Sequence, residues 1–430
     1  MQNNCCNYRL LFKGIEVPVE TQDGSYVVPI NFDNAATTPP LKHVDQFVCD
    51  SISMYGSVGR SGQKSAYCTE TYIKSKEEIL SFFNAKKEDG YTVIYVRNTT
   101  DGINLLARAL KDKGEYKILT TRMEHHTNDL PWRENAHVFY INTNELGRIS
   151  LSDIEEKMLY AQGTIKYITV TGASNVTGYI NPIYEIAKIA HRYGAYIIVD
   201  GAQLVAHQEI FLNGTGNNDA IDFLIFSGHK MYAPFGTGVV IARKEVLKET
   251  RPYLYGGGAV KAVFDEDVYW KDIPDKDEAG TPNYLGAMAV VAATGVLRHI
   301  GFKTIAEHER DLKERLLMGL SQIPKVILYG DIQDKERLGV IPFNIEGIHH
   351  ARVGKLLADK RAIAVRTGCF CAQPYVARLL GVTDKERYHY MLNPHLPEPG
   401  MLRASVALYN TKEEVDEFLN TVDYIATYET

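Results

Sequence analysis

Between Tyr91 and Ala242 the sequence alternates short apolar runs with segments of helical period, and this limits the fold more than any other feature. Residues 91–96, 116–119, 137–141, 166–171, 195–199, 221–226 and 238–242 read as seven strands. Several are apolar at consecutive rather than alternate positions, which suits strands buried on both faces. Residues 101–110 and 183–193 read as helices between them. Strands separated by helices imply right-handed crossovers and a mostly parallel sheet with helices on both faces. The expected class is therefore α/β. Upstream, Pro39-Pro40 precede an expected helix from Leu41. Residues 69–83 have helical period, with Tyr72, Ile73, Ile79, Leu80 and Phe83 as the inner face. Past residue 300 the texture changes: a long charged helix over 303–320, short strands over 326–329 and 340–344, and helices over 353–360 and 411–426. That pattern predicts a smaller α+β unit at the C-terminal end.

Ligands of open α/β sheets bind beyond the carboxyl ends of the strands, so the polar residues there carry the functional reading. Residues 221–226 deliver Ser227-Gly228-His229-Lys230. A lysine held away from water loses its charge more readily and becomes a nucleophile able to form a Schiff base; otherwise it is a surface lysine in a loop. Residues 195–199 end in Asp200, with Gln203 close behind; a carboxylate at that depth needs a cation, either a protonated ring nitrogen or an arginine. Asn98-Thr99-Thr100 opens a helix, where it is either a plain cap or a phosphate cradle. His125-His126 follows another strand and suits metal binding or stacking on a flat cofactor. Arg366-Thr367-Gly368-Cys369-Phe370-Cys371 places thiols beside an arginine in a loop that is not part of an apolar periodic segment. His349-His350 with Cys369 and Cys371 is a weaker zinc pattern, and no metal site is expected. A phosphate cradle, a buried carboxylate, a stacking histidine and a Schiff-base lysine together describe a pyridoxal phosphate site.

Composition narrows the partners. The 430 residues carry a formal net charge of -6, with no basic tail, so neither nucleic acid nor a membrane is expected as a partner. Six cysteines in this length do not make a disulfide framework, and adjacent Cys5-Cys6 are read as incidental. The apolar stretch 287–297 is too short to span a bilayer, and no basic region followed by an apolar one marks a signal peptide. The expected compartment is the cytoplasm.

From about Asn31 onward, these motifs resemble, in order, those of the class V aminotransferase-like, fold type I pyridoxal phosphate enzymes. Within them the chain is most similar to the cysteine desulfurase and selenocysteine lyase branch. The resemblance implies a large domain over 45–300 and a small C-terminal domain over 301–430 carrying the cysteine loop, with 1–44 packing against the latter. It implies Lys230 as the Schiff-base residue, and Thr99, Thr100, Ser227 and His229 at the phosphate. Asp200 falls at the ring nitrogen, Gln203 and Asn175 near the phenolic oxygen, and His125 over the ring as a further catalytic residue. Glu278-Ala279-Gly280-Thr281-Pro282-Asn283 matches a segment reaching the partner subunit's phosphate, so Thr281 implies a homodimer. Arg403 matches the clamp on a substrate carboxylate, with Arg366 and Asn34 as further substrate contacts. Cys371 falls at the nucleophilic cysteine, implying L-cysteine as substrate and a sulfur-acceptor protein as partner. Cys369 is a reserve nucleophile, a sulfur relay or half of a regulatory disulfide. The alternatives on this scaffold are a C–S lyase, a selenocysteine lyase, an aminotransferase or an epimerase. A non-catalytic scaffold for sulfur transfer is the remaining reading, against which the full set of Lys230, Asp200, His125 and Arg403 argues.

Overall fold

All seven expected strands form, and their residues divide between two cores as a pleated strand requires. A computed structural model of the chain describes residues 7–429; Cys5 and Cys6 lie outside the described residues. The strands are β1 (Tyr91–Val96), β2 (Lys117–Thr121), β3 (His137–Ile141), β4 (Ile165–Thr171), β5 (Tyr196–Asp200), β6 (Phe223–Ser227) and β7 (Gly238–Arg243). They build one seven-stranded sheet in the order β1-β7-β6-β5-β4-β2-β3. Only β7 runs against its neighbours; the other contacts are parallel. Successive side chains point to opposite faces. Val93, Ile197, Leu224 and Val239 enter one core; their neighbours Ile94, Ile198, Ile225 and Val240 enter the other. Apart from the edge strand β3, whose His137 and Phe139 are exposed, the strands are buried on both faces, which is why the runs lack a polar alternation.

The helical layers follow from the same cores. Helices α1 (Lys42–Ser53), α2 (Gln63–Phe82), α4 (Leu151–Ala161), α5 (Ile183–Arg192) and α6 (Tyr284–Ile300) cover one face, and α3 (Thr99–Lys111) lies on the other. Helix α6 is apolar nearly all round because it is packed against both α1 and α2. No single helix among the described residues is long and apolar enough to cross a membrane. Two local expectations need correction. Ile73 is 58% exposed, because it lies about 100° round α2 from the buried Tyr72. Strand β6 begins at Phe223 rather than Ile221. The Asp222 carboxylate is turned aside to accept from the Ile197 N–H at 3.0 Å and to meet His191 at 2.8 Å and Arg243 at 3.2 Å.

At Gly301 the chain bends by 81° from α6 into α7 (Phe302–Gln322). Beyond it lies a four-stranded antiparallel sheet of β8 (Val326–Leu328), β9 (Val340–Ile345), β10 (Arg366–Gly368) and β11 (Met401–Ser405), in the order β8-β9-β11-β10. Helices α7, α8 (His350–Arg361) and α11 (Lys412–Tyr428) enclose a core with this sheet. Helix α11 starts at a capping box in which Thr411 and Glu414 satisfy each other's backbone N–H groups. Between β10 and β11 the chain adds α9 (Gln373–Leu380) and α10 (Asp384–Leu392). We propose that Gly301 divides a large unit from a small one, which the bend and the two sheets support.

The N-terminal segment bridges the two sheets. Ile30–Asn31 pairs in parallel with Ile363–Ala364. Phe32 is fully buried in the second core, its ring 5.2 Å from Phe418, and burial of such a ring stabilises by roughly 1.5–3 kcal/mol. A few residues on, the Thr38 N–H and hydroxyl reach the His229 carbonyl at 3.0 and 3.1 Å. One short stretch therefore ties the small sheet to the end of β6.

Candidate active site

The carboxyl ends of β1, β2, β4, β5 and β6 open onto one cavity of about 210 Å³. Thr99, Thr100, His125, Asn175, Asp200, Gln203, Ser227, His229 and Lys230 line it from the large sheet. Arg366, Cys371 and Arg403 line it from the other side. The topology gathers residues from almost the whole chain because every parallel crossover returns its strand end to the same edge.

At the floor, the Asn98 side chain accepts from the Asp101 N–H at 3.0 Å and caps α3. The Thr99 N–H donates to Ser227 Oγ at 2.8 Å, and the two hydroxyls are 2.7 Å apart. Thr100 Oγ1 meets Thr127 Oγ1 at 2.7 Å. This is a hydroxyl-lined helix N-terminus, a natural seat for an anion. Gly238 is required beside it: a Cβ there would stand 2.6 Å from the Asn98 Cα.

Lys230 follows β6 on a short 3₁₀ turn, Gly228–Lys230. Burial pushes its amine down to about 8, while the Asp200 carboxylate opposes that fall and Arg403 adds to it. Asp200 is 3% exposed and accepts the Ala202 N–H at 3.0 Å; burial raises its pKa. His125 accepts the Thr127 N–H on Nδ1 at 3.1 Å, and burial beside Lys230 pushes it down to about 3, so the ring is neutral. Gln203 donates to the Ala35 carbonyl at 2.7 Å, and His229 Nδ1 meets Thr37 Oγ1 at 3.2 Å.

Arg403 is 2% exposed. It donates to the Asn175 carbonyl and to Asp33, each at 2.9 Å, and its buried Nε has no hydrogen-bond partner. Burial pushes its pKa down to about 10, against the opposing effect of Asp33. Asp33 also lies 3.6 Å from Arg366. Asp33 was not singled out from the sequence; a carboxylate in the loop Asn31-Phe32-Asp33-Asn34 was the only signal.

The cysteine loop is a tight turn closed by the Ala372 N–H on the Cys369 carbonyl at 2.8 Å. Its central residues, Phe370 and Cys371, have φ of 52° and 54°. Residues with side chains pay roughly 1–2 kcal/mol each for that left-handed backbone, so the turn is held from outside. The Asn175 amide donates to the Phe370 carbonyl at 2.8 Å, and the His126 N–H to the Cys371 carbonyl at 2.7 Å. His126 Nε2 accepts the Gln373 N–H at 3.3 Å. The second histidine of the pair thus anchors the loop, with its ring outside the cavity lining.

Two expected residues stand elsewhere. Asn34 does not line the cavity: its amide donates to the Ser405 carbonyl at 2.8 Å and its oxygen accepts from Tyr409 at 2.6 Å, a network joining the N-terminal segment to β11. Thr281 is exposed and lies in a separate cleft with Gly257, Gly258 and Lys271. His349 and His350 both donate to the Glu398 carbonyl, at 3.0 and 3.1 Å. Among the described residues no three His, Cys, Asp or Glu side chains are grouped as metal ligands.

Known proteins were compared with this chain. Residues 30–418 match the model of the aminotransferase class-V family. A probable cysteine desulfurase of Halalkalibacterium halodurans is 34% identical over 422 residues, 96% of each chain. A cysteine desulfurase of Escherichia coli is 36% identical over 371 residues, 84% of each. Among solved structures, the apo cysteine desulfurase of Thermococcus onnurineus superposes with a TM-score of 0.82 at 32% identity, over 93% of this chain and 94% of that one. The Escherichia coli cysteine desulfurase CsdA gives 0.80 at 28% identity, over 97% of both. Every residue lining the cavity falls inside the stretch the family model matches, and the chain belongs to the aminotransferase class-V family.

Proposed function

We propose that the protein is a pyridoxal phosphate-dependent cysteine desulfurase that converts L-cysteine to L-alanine and holds the released sulfur as a persulfide on Cys371. The observation that carries this reading is the meeting of Lys230, Arg403 and Cys371 in one cavity, in a chain 34–36% identical to cysteine desulfurases. The cavity suits the cofactor. The hydroxyl-lined helix N-terminus at Thr99, Thr100, Ser227 and His229 would hold its phosphate, and Lys230 would bind it covalently. Asp200, Gln203, Asn175 and neutral His125 would hold its ring. Bound there, pyridoxal phosphate supplies an electron sink next to the substrate Cα.

Arg403, which lines the cavity, binds the substrate carboxylate, a task that suits a planar guanidinium. Asp33 and the Asn175 carbonyl fix the guanidinium, and Arg366 adds positive charge at the cavity edge. Lys230 would take the Cα proton; a depressed pKa suits an amine to that task. Cys371 as thiolate attacks the substrate Sγ. The new S–S bond forms as the Cβ–S bond breaks, the bonding pair stays with carbon, and protonation gives the methyl group of alanine. Thr281, turned away from its own cavity, reaches the phosphate held by a second copy of the chain. The sulfur then passes to an acceptor protein, in the cytoplasm.

Incubating the holoenzyme with L-cysteine and dithiothreitol tests the reading. Alanine with equal sulfide is expected. Pyruvate and ammonia would assign a C–S lyase instead, and neither product would leave an aminotransferase or epimerase. Cys371→Ser is expected to keep the bound cofactor and lose persulfide formation.

A further inference from the structure

Cys369 and Cys371 sit two residues apart on one turn but face different cavities. Cys371 lines the active-site cavity of about 210 Å³. Cys369 lines a second one of about 510 Å³, walled by α9, α10 and the segment Glu398-Pro399. The two share no lining residue. Phe370, 7% exposed, stands between the two cysteines in sequence and closes the active-site cavity, with the Arg403 guanidinium 5.0 Å from its ring centre. Val376, Leu380, Val382 and Met391 give the second cavity an apolar wall, and Arg387 brings a positive charge to it. Cys369 Sγ lies 3.7 Å from the Pro399 carbonyl, and the thiol is part-buried.

The turn keeps the two thiols within reach of each other. Two peptide steps span at most about 7 Å, and the left-handed backbone of Phe370 and Cys371 folds them tighter. A persulfide on Cys371 would extend that side chain by a further ~2 Å. Cys371 is the more exposed of the two thiols, whereas Cys369 sits half-buried against the apolar wall of the second cavity, which gives an acceptor a shaped seat beside it.

We propose that Cys369 is a second sulfur-carrying residue, which takes the terminal sulfur from the Cys371 persulfide and presents it to an external thiol in the second cavity. This rests on the desulfurase reading. Cys369 as thiolate attacks the terminal sulfur. The bond from that sulfur to Cys371 Sγ breaks, a new S–S bond forms on Cys369, and Cys371 leaves as thiolate to accept the proton Cys369 gave up. One sulfane sulfur changes hands with no net oxidation, so no further reagent is needed. Burial and Glu398 hold the Cys369 thiol above its ordinary pKa while Arg387 opposes them, so the hand-over quickens as pH rises. The external thiol then attacks the terminal sulfur on Cys369 in the same way, freeing the residue for the next transfer.

Holoenzyme given L-cysteine without reductant, then alkylated and digested, tests this directly. Wild type is expected to release two alanines per chain, with added sulfur on both the Cys371 and the Cys369 positions. Cys369→Ser and Cys369→Ala are expected to release about half as much, with sulfur on Cys371 alone. Cys371→Ser is expected to leave Cys369 unloaded. Dithiothreitol and a cysteine-bearing peptide, offered in turn, tell a small-molecule acceptor from a polypeptide one; slower transfer to either in the Cys369 variants supports the relay. Unchanged alanine and transfer in those variants, with no sulfur ever found on Cys369 of wild type, would overturn it. So would Cys369 loading in Cys371→Ser, or a Cys369–Cys371 disulfide formed with release of sulfide. A wild type that makes no alanine even with dithiothreitol would refute the desulfurase reading itself, whereas alanine with only one sulfur per chain refutes the relay alone.

Discussion

The apo chain should capture pyridoxal phosphate with a pH profile set by Lys230. Burial pushes its amine from 10.5 to about 8. At pH 7 an ordinary lysine is neutral in about three molecules in ten thousand, whereas this one is neutral in about one in ten, a gain of roughly 300-fold. The depressed value also has a stability side. The folded chain binds fewer protons at Lys230 than the unfolded chain between about pH 8 and 10.5. Lys230 therefore weakens the apo fold fully below about pH 8, and the penalty fades as pH rises toward 10.5. The displacement corresponds to at most about 3 kcal/mol, less whatever solvent at the cavity mouth screens. Apo protein is mixed briefly with pyridoxal phosphate across pH 6–11, reduced with borohydride, and the labelled Lys230 peptide is quantified. Labelling is expected to reach its midpoint near pH 8 and to move lower in Asp200→Asn, because Asp200 is the group holding the value up. Lys230→Met is expected to stabilise the apo chain against urea at pH 7 by about 1–3 kcal/mol, and by little at pH 10.5. A labelling midpoint near that of free lysine, or a rise in Asp200→Asn, would refute the reasoning.

Glu278→Ala strips the acceptor from Lys76 (2.8 Å), Tyr72 (3.0 Å) and the Tyr95 N–H (2.7 Å). Leaving those groups unpaired is expected to lower unfolding free energy by about 3–5 kcal/mol in urea titrations. Arg403→Lys keeps the charge but not the fork that Asp33 and the Asn175 carbonyl hold. Loss of one charge-assisted hydrogen bond, ~1.5–3 kcal/mol, should raise KM for L-cysteine about ten- to a hundredfold with the cofactor's absorbance unchanged. The hydrogen bond to Asp222 raises the pKa of His191 above 6.5. Its contribution is therefore complete below about pH 6.5 and disappears as pH climbs through the raised folded value. His191→Gln is expected to lose stability at pH 6 and to flatten the fall in stability above pH 6.5.

The large sheet was legible because its strands bury both faces, so their apolar runs stand out without any partner being known. Lys230, Asp200 and Thr99 were legible for a related reason: each follows such a run directly, and the parallel topology sends every such end to one edge. Asn34 was expected at the substrate, and its hydrogen bonds to Ser405 and Tyr409 left no sign in the sequence because those partners are more than 370 positions away. A polar loop residue looks the same whether it meets a ligand or a distant strand. Helix α10 was missed for the opposite cause. Tyr388, Met391 and Leu392 are 64%, 61% and 73% exposed, so it has no apolar face turned to a core and leaves no periodic signal. Helix α4 has only Ile154 and Met158 buried, too few to stand out from its polar surroundings.

The parallel pairing of Ile30–Asn31 with Ile363–Ala364 sets an order of events during synthesis. Residues 30–34 leave the ribosome early, yet their partners are among the last quarter of the chain to be made. The strands of the large sheet, Lys230 included, can collapse while that quarter is still being translated, as domains fold in turn from the N-terminal side. The early segment must wait, because contacts this distant in sequence close late. Asp33 cannot grip Arg403 until both are outside the tunnel, so a nascent chain owns its amine well before its carboxylate clamp. Cofactor captured at that stage would sit in a half-walled cleft, and the last residues to emerge would be the ones that close it.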